Sequence, residues 1–331
     1  MTVSRQFIYA NVTKLNNKHK LLNIKGETKM LQPKENKVKI EGILSEIDIK
    51  PSTFKKNGVD TNAIGGVIKI RVNQQIDGID TELEIPVHMF AAQYTNSGAS
   101  NPAYESISRL ANEFTSIAAS DVDHADRVRI TNGQIQMNEY YSQTGNLVSF
   151  PRITASFVTK IKREECKPCA TFNVVFMVGN AGYEVDKDGV ETSTYKITGI
   201  VPQYGGKVDV VPFYSRNAGV ISHISQDWGQ GDTVRATGKL NFTSRVETRL
   251  VEVDFGEPNE ETRTVSVSEL IITGGGSTPL DGEFALNADE VQSALAERKS
   301  RLAALKDKSQ DRGTSGKAPA KGGNKFQDLG F

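Results

Sequence analysis

A mainly β fold of two tandem five-stranded barrels, each with one helix, is what this sequence predicts. Three observations lead there. Short segments with a two-residue hydrophobic period recur from residue 37 to 273. The order strand, strand, strand, helix, strand, strand is read twice. The fourth-strand segments of the two copies also match in residue type and spacing.

Residues 1–35 form a basic arm, with room for a short strand at 6–12. A solvated arm is favoured over one that contacts phosphate. The first unit spans 36–165. In 37–49, KVKIEGILSEIDI, Val38 and Ile40 share one face while Ile43, Ile47 and Ile49 take the other parity. A phase slip after Gly42 predicts a bulge or bend, which a small barrel needs where its first strand crosses between sheets. A polar loop at 51–62 carries Phe54, Lys55 and Lys56. Strand two, 66–73, turns Ile68, Ile70 and Val72 inward and Lys69 and Arg71 outward. Strand three covers 82–90. Ile107, Leu110, Phe114 and Ile117 predict a helix over 102–119. Strands four and five, 127–137 and 150–161, flank a hairpin with Tyr140, Tyr141 and Gly145. This is the element order of an OB-fold.

The second unit spans 166–275. Phe172, Val174, Phe176 and Val178 alternate along 170–178, and a loop follows at 179–192. Strands at 195–201 and 207–213 flank Tyr204-Gly205-Gly206. A short helix, 217–228, ends near Trp228. Gly231–Leu240 then matches Ala125–Ile135, with one extra residue in the first copy. The last strand is 263–273. Residues 276–306 form a linker and an amphipathic helix (288–306) with Val291, Leu295, Leu302 and Leu305 near one stripe. The composition of 307–331 predicts a disordered tail.

Chemistry finds little support. Lys plus Arg and Asp plus Glu number 40 each, so only local clusters can mark a nucleic-acid partner. Cys166-x-x-Cys169 lacks the second pair that a tetrahedral zinc site needs, and no βαβ pattern accompanies it. It is expected to be two thiols in a turn around Pro168. His19, His88, His124 and His223 have no metal spacing. The glycines form no nucleotide fingerprint. No nucleophile, base and acid fall into an arguable constellation. The expectation is therefore no enzyme, no cofactor and no metal. No apolar run approaches the roughly 20 residues of a membrane helix, and no signal segment is evident. A cytoplasmic protein is expected.

Basic and aromatic residues do interleave. Single-strand binders track phosphates with Lys and Arg and stack bases on rings. The candidates in the first unit are Phe54, Lys55, Lys56, Lys69, Arg71, Tyr140, Tyr141, Phe150 and Arg152. They fall on the strand face and loops that OB-folds use for oligonucleotides. Singly, each has an ordinary reading as core or solvated surface. Tyr183, Tyr195, Tyr204 and Lys207 are the weaker candidates of the second unit, where Glu184, Asp186, Asp188 and Asp209 intervene.

Asp126–Ile135 followed by Asn138–Asn146 resembles the strand 4–hairpin–strand 5 region of bacterial and phage single-stranded DNA-binding proteins. Phe326–Phe331 looks like a reduced form of their acidic tail tip. The resemblance is closest to a bacteriophage-encoded member, in the host cytoplasm. It implies a protein that coats and protects exposed strands in DNA replication, recombination or repair. It also implies that Asp328, Leu329 and Phe331 dock partner proteins. Two features depart from the family: residues 306–331 hold more Lys and Arg than Asp, and one chain holds two barrels. The alternative is a structural or adaptor protein of a virion or assembly that uses its barrels for protein contacts.

Overall fold

The computed structural model describes residues 30–56, 58–142, 144–186, 188–251 and 259–314. The arm strand expected at 6–12 and the tail residues Asp328, Leu329 and Phe331 lie outside the described residues. The chain is mainly β, as predicted. In order come β1 (Asn36–Lys56), β2 (Val59–Ile76), β3 (Ile79–Ala92), α1 (Pro102–Glu113), β4 (Arg127–Tyr141), β5 (Leu147–Thr154) and β6 (Thr159–Ile161). Then follow β7 (Cys169–Val185), β8 (Glu191–Pro202), β9 (Val208–Ser215), α2 (Ala218–Asp227), β10 (Thr233–Val251), β11 (Asn259–Gly275) and α3 (Ala288–Thr314).

Hydrogen bonds close two circuits of five strands. The first runs β1-β2-β3-β5-β4 and back to β1. The second runs β7-β8-β9-β11-β10 and back to β7. In each, only the contact between the third and fifth strands is parallel. The two first strands also pair with each other, Asn36–Glu41 against Cys169–Val174. One hydrophobic cluster runs through both circuits, from Val38 and Ile68 to Phe213 and Leu270. Two glutamines cross the seam reciprocally. Gln74 donates to the Leu240 carbonyl at 3.1 Å, and Gln203 donates to the Ile135 carbonyl at 3.0 Å. Ile135 and Leu240 end the two matched sequence segments, so the halves are related by a pseudo-two-fold.

Local chemistry explains the element ends. Asn101 accepts from the Ala103 amide at 3.1 Å, with Pro102 opening α1. Asn217 caps α2 through the Val220 amide. Gly42 lies where β1 crosses β2, and a Cβ there would come within 2.3 Å of the Arg71 carbonyl oxygen. The bulge expected at that glycine falls slightly later. Leu44 is buried while Ile43 is not, and the register slips between Leu44 and Glu46. The extra residue of the first matched segment is absorbed as a bulge in β4: Val38 pairs with Gly133, but Ile40 pairs with Ile130.

Several expectations are corrected. The polar loop at 51–62 is a β-ribbon, with pairing out to Lys56 and Val59. Phe54, Lys55 and Lys56 therefore lie on a strand. The ribbon has no buried face near its tip, so no hydrophobic period marked it. For the same reason β7 and β8 extend into the loop expected at 179–192. Helix α1 stops at Glu113; Phe114 is extended and Ile117 begins a 3-10 turn. The expected strand 150–161 divides into β5 and β6. Helix α3 continues to Thr314, through residues that composition alone assigned to a disordered tail. Its first turns bury Val291 and Ala294 against Leu31, Met177, Ile200 and Val208. Its Arg298 pairs with Glu139 of β4.

Candidate nucleic-acid interface

Strands β3, β5 and β4 lie side by side on the outside of the first circuit. Val87, Met89, Ile135 and Ile153 point into the core. Strand alternation therefore turns His88, Phe90, Gln134, Gln136, Arg152 and Thr154 outward. Register brings them into rows: Gln134 opposite Thr154, which meets His88, and Gln136 opposite Arg152. With Arg129, Thr131 and Phe157 these residues line a groove of about 420 Å³.

Arg152 is the central cation. It donates to the Gln136 side-chain oxygen at 3.2 Å. Among the described residues no carboxylate forms an ion pair with it. Burial pushes its pKa down, and the charge of Asp209, which forms no ion pair with it, offsets that only in part. A desolvated guanidinium without an ion-paired carboxylate is costly, and an incoming anion relieves that cost.

Rings flank it along the same face. Toward one end lie Phe90 and Phe157, the latter 55 % exposed. Phe54 meets Phe90 edge-on at 5.7 Å. Toward the other end Phe150 sits one row beyond Arg152, edge-on to Tyr140 at 6.5 Å. Both Phe150 and Tyr140 are exposed. The spacing of ring, cation and ring suits a strand whose bases stack while its phosphates meet charge.

The other sequence candidates fall differently. Lys69 lies 2.6 Å from Glu46, and that hydrogen bond raises its pKa. Arg71 lies 3.7 Å from Glu82. Lys56 donates to the Asn96 side chain, while Lys55 is exposed opposite Asp60. Tyr141 is half-buried, with the opposite parity to Tyr140. Tyr183 is exposed, but its neighbour Tyr195 is a core residue at 8 % exposure; their rings meet edge-on at 5.1 Å. Tyr204 is 90 % exposed in a 3-10 turn just before Lys207. None of these four residues of the second circuit lines the groove. Sequence reasoning missed His88, Phe90, Arg129, Gln134, Gln136 and Phe157. Continuing the alternation of the 82–90 strand to its end would have placed Phe90 outside.

Arg129 is tied to the seam between circuits through Glu41. That carboxylate, 2 % exposed, meets Lys39 at 2.8 Å, Arg129 at 3.0 Å and the Lys167 amide at 3.1 Å. Burial raises its pKa, but the hydrogen bonds from Lys39, Arg129 and Lys167 outweigh that and bring it from 4.5 to about 2. A depressed carboxylate stabilises the fold above its unfolded pKa and loses that contribution as pH falls toward the folded one. Wild type should therefore be more stable than Glu41→Gln at neutral pH. The gap should close as pH falls from about 4.5 to about 2 in denaturant melts. A gap independent of pH would contradict this.

Cys166 and Cys169 are free and half-buried, and burial raises both thiol pKa values. Neutral thiols are poor nucleophiles and ligands. Among the described residues no group of three or more His, Cys, Asp or Glu is placed to hold a metal ion. No helix among them is long and apolar enough to cross a membrane.

Residues 34–309 match a protein family described as YorF. No curated protein matches the sequence. Among solved structures, the wild-type single-stranded DNA-binding protein of Thermus aquaticus shares 9 % identity. That alignment covers 76 % of this chain and 96 % of that one, at a TM-score of 0.41. A deletion mutant of the same protein shares 10 % identity over 75 % of this chain and 95 % of the other, at 0.44. The family match does cover both circuits and most of α3, so the chain belongs to the YorF family.

Proposed function

We propose that this protein binds single-stranded DNA, without chemistry, in the groove over β3, β5 and β4. The observation that carries the proposal is Arg152: a desolvated cation with no carboxylate partner among the described residues, set between exposed rings. Each circuit reads as an OB barrel, with units at 36–165 and 166–275, and OB barrels present oligonucleotide sites on their strand faces and hairpins. The expected role is to coat and protect exposed strands during replication or recombination. The C-terminal residues Asp328, Leu329 and Phe331 are proposed to recruit partners, and a phage origin with action in the host cytoplasm fits the same reading.

The test is a fluorescence titration with poly-dT, set against duplex of equal length. Poly-dT should bind more tightly. Its log affinity should fall with log salt by about 0.7 per phosphate neutralised. Equal binding of duplex would end the proposal. Removing residues 315–331 should leave the titration unchanged. One observation favours a second reading, an adaptor that binds protein: Lys69, Arg71 and Arg129 are already neutralised by Glu46, Glu82 and Glu41. Stable self-assembly without nucleic acid, with no poly-dT binding, would favour it.

A further inference from the structure

The pseudo-two-fold gives the groove a counterpart in the second circuit. On β10, Lys239 and Asn241 occupy the register positions of Gln134 and Gln136 on β4. They pair with Ile271 and Glu269 of β11, as Gln134 and Gln136 pair with Thr154 and Arg152 of β5. Tyr214 meets Ile271 as His88 meets Thr154. The charge at the central position is thus inverted: Glu269 stands where the first circuit has Arg152.

The counterpart is also partly filled by the other circuit. Its cavity is smaller, about 280 Å³, and is walled partly by Ile76, Asp77 and Gly78, the tip of the β2–β3 hairpin. The hairpin makes specific contacts there. Asp77 lies 3.3 Å from Arg216, which also holds Glu269 at 2.7 Å. Lys239 donates to the Gln75 carbonyl at 2.7 Å. Gln74 bonds the Ala170 and Leu240 carbonyls, and Ile76 is buried. By contrast, every residue lining the first groove comes from the first half of the chain, between His88 and Thr159. The matching β8–β9 connection, a tight turn at Tyr204–Gly206, contributes nothing to it.

We infer that the second circuit carries a latent single-strand site, held shut by the β2–β3 hairpin as an intramolecular ligand. Arg216 is held chiefly by Glu269, through two hydrogen bonds at 2.7 and 3.1 Å, and the Asp77 carboxylate takes the place of a phosphate on the side of the guanidinium that Glu269 leaves over, at 3.3 Å. This rests on the reading of the first groove. It predicts that one chain uses one groove, with Arg216, Lys239 and Tyr214 withheld from the strand.

The experiment compares wild type with Asp77→Asn/Glu269→Gln in titrations on long poly-dT. Asparagine is chosen because position 77 has φ 51°, which asparagine tolerates. The variant should tighten binding several-fold, occlude more nucleotides per chain and steepen the salt slope by about 0.7 per new phosphate contact. If wild type binds and the variant matches it in all three, the latent site is wrong and the first groove stands. If neither binds, both readings fall. A second measurement needs no variant. Hydrogen exchange at amides 74–81 should be as slow in the wild-type complex as in the free chain. Loss of protection on saturation with poly-dT would show that the hairpin does not hold the groove shut.

Discussion

Arg152→Ala is expected to weaken poly-dT binding by about 10- to 100-fold, the contribution of hydrogen bonds to a charged group. The fold should not suffer. In the free protein Arg152 makes one hydrogen bond, to Gln136, and meets no carboxylate among the described residues. Removing a desolvated, unpaired charge is neutral or stabilising. This split between lost affinity and retained stability separates a binding residue from a structural one. Arg152→Lys keeps the charge but not the planar fork, and should fall between. The rings follow the same logic. Tyr140→Ala with Phe150→Ala removes two stacking surfaces worth roughly 1–3 kcal/mol each. Tyr195→Ala should leave the groove's affinity unchanged in whatever fraction stays folded, because its ring is in the core. Fluorescence anisotropy at low salt, beside a urea melt of each variant, reads both quantities. An Arg152→Ala protein that binds like wild type would remove the central cation from the account.

Phe213→Ala should cause the largest loss of stability. Its ring is fully buried, stacked on Phe176 at 4.8 Å and close to Phe172 at 5.7 Å; Phe176 in turn meets Trp228 edge-on at 6.0 Å. Truncating such a ring costs about 3–5 kcal/mol in lost burial and residual cavity. Phe150→Ala, at an exposed site, should cost less than about 1 kcal/mol. Because one cluster spans both circuits, the melt should move as a single transition. Two separate transitions, or a loss below about 1 kcal/mol at Phe213, would contradict the continuous core.

The fold was readable where one face of a strand is buried. Val38, Ile40, Ile68, Ile70, Val72, Phe172, Val174 and Phe176 all announce their faces by alternation, and all are in the core. The matched segments ending at Ile135 and Leu240 showed the repeat. Reading failed where burial supplies no period: the ribbon tips at 51–62 and 179–192, and the distal turns of α3. The site was legible in part for the same reason. Phe150, Tyr140 and Arg152 stood out by residue type near a hairpin. Whether a lysine or arginine is free depends on partners far along the chain, as Lys69 with Glu46 and Arg129 with Glu41 show. The seam was not legible at all. Nothing local in Asp77-Gly78 says that this hairpin rests on Arg216, 139 residues away.

The most direct test of the central claim is photo-crosslinking of the full chain to halogenated oligo-dT, with the modified peptides mapped by mass spectrometry. Crosslinks should fall on peptides containing Phe90, Phe150 or Phe157, should outnumber those to duplex, and should fade in Arg152→Ala. Crosslinks confined to the second circuit, at Tyr183 or Tyr204, or none above the duplex control, would contradict single-strand binding in the groove over β3, β5 and β4.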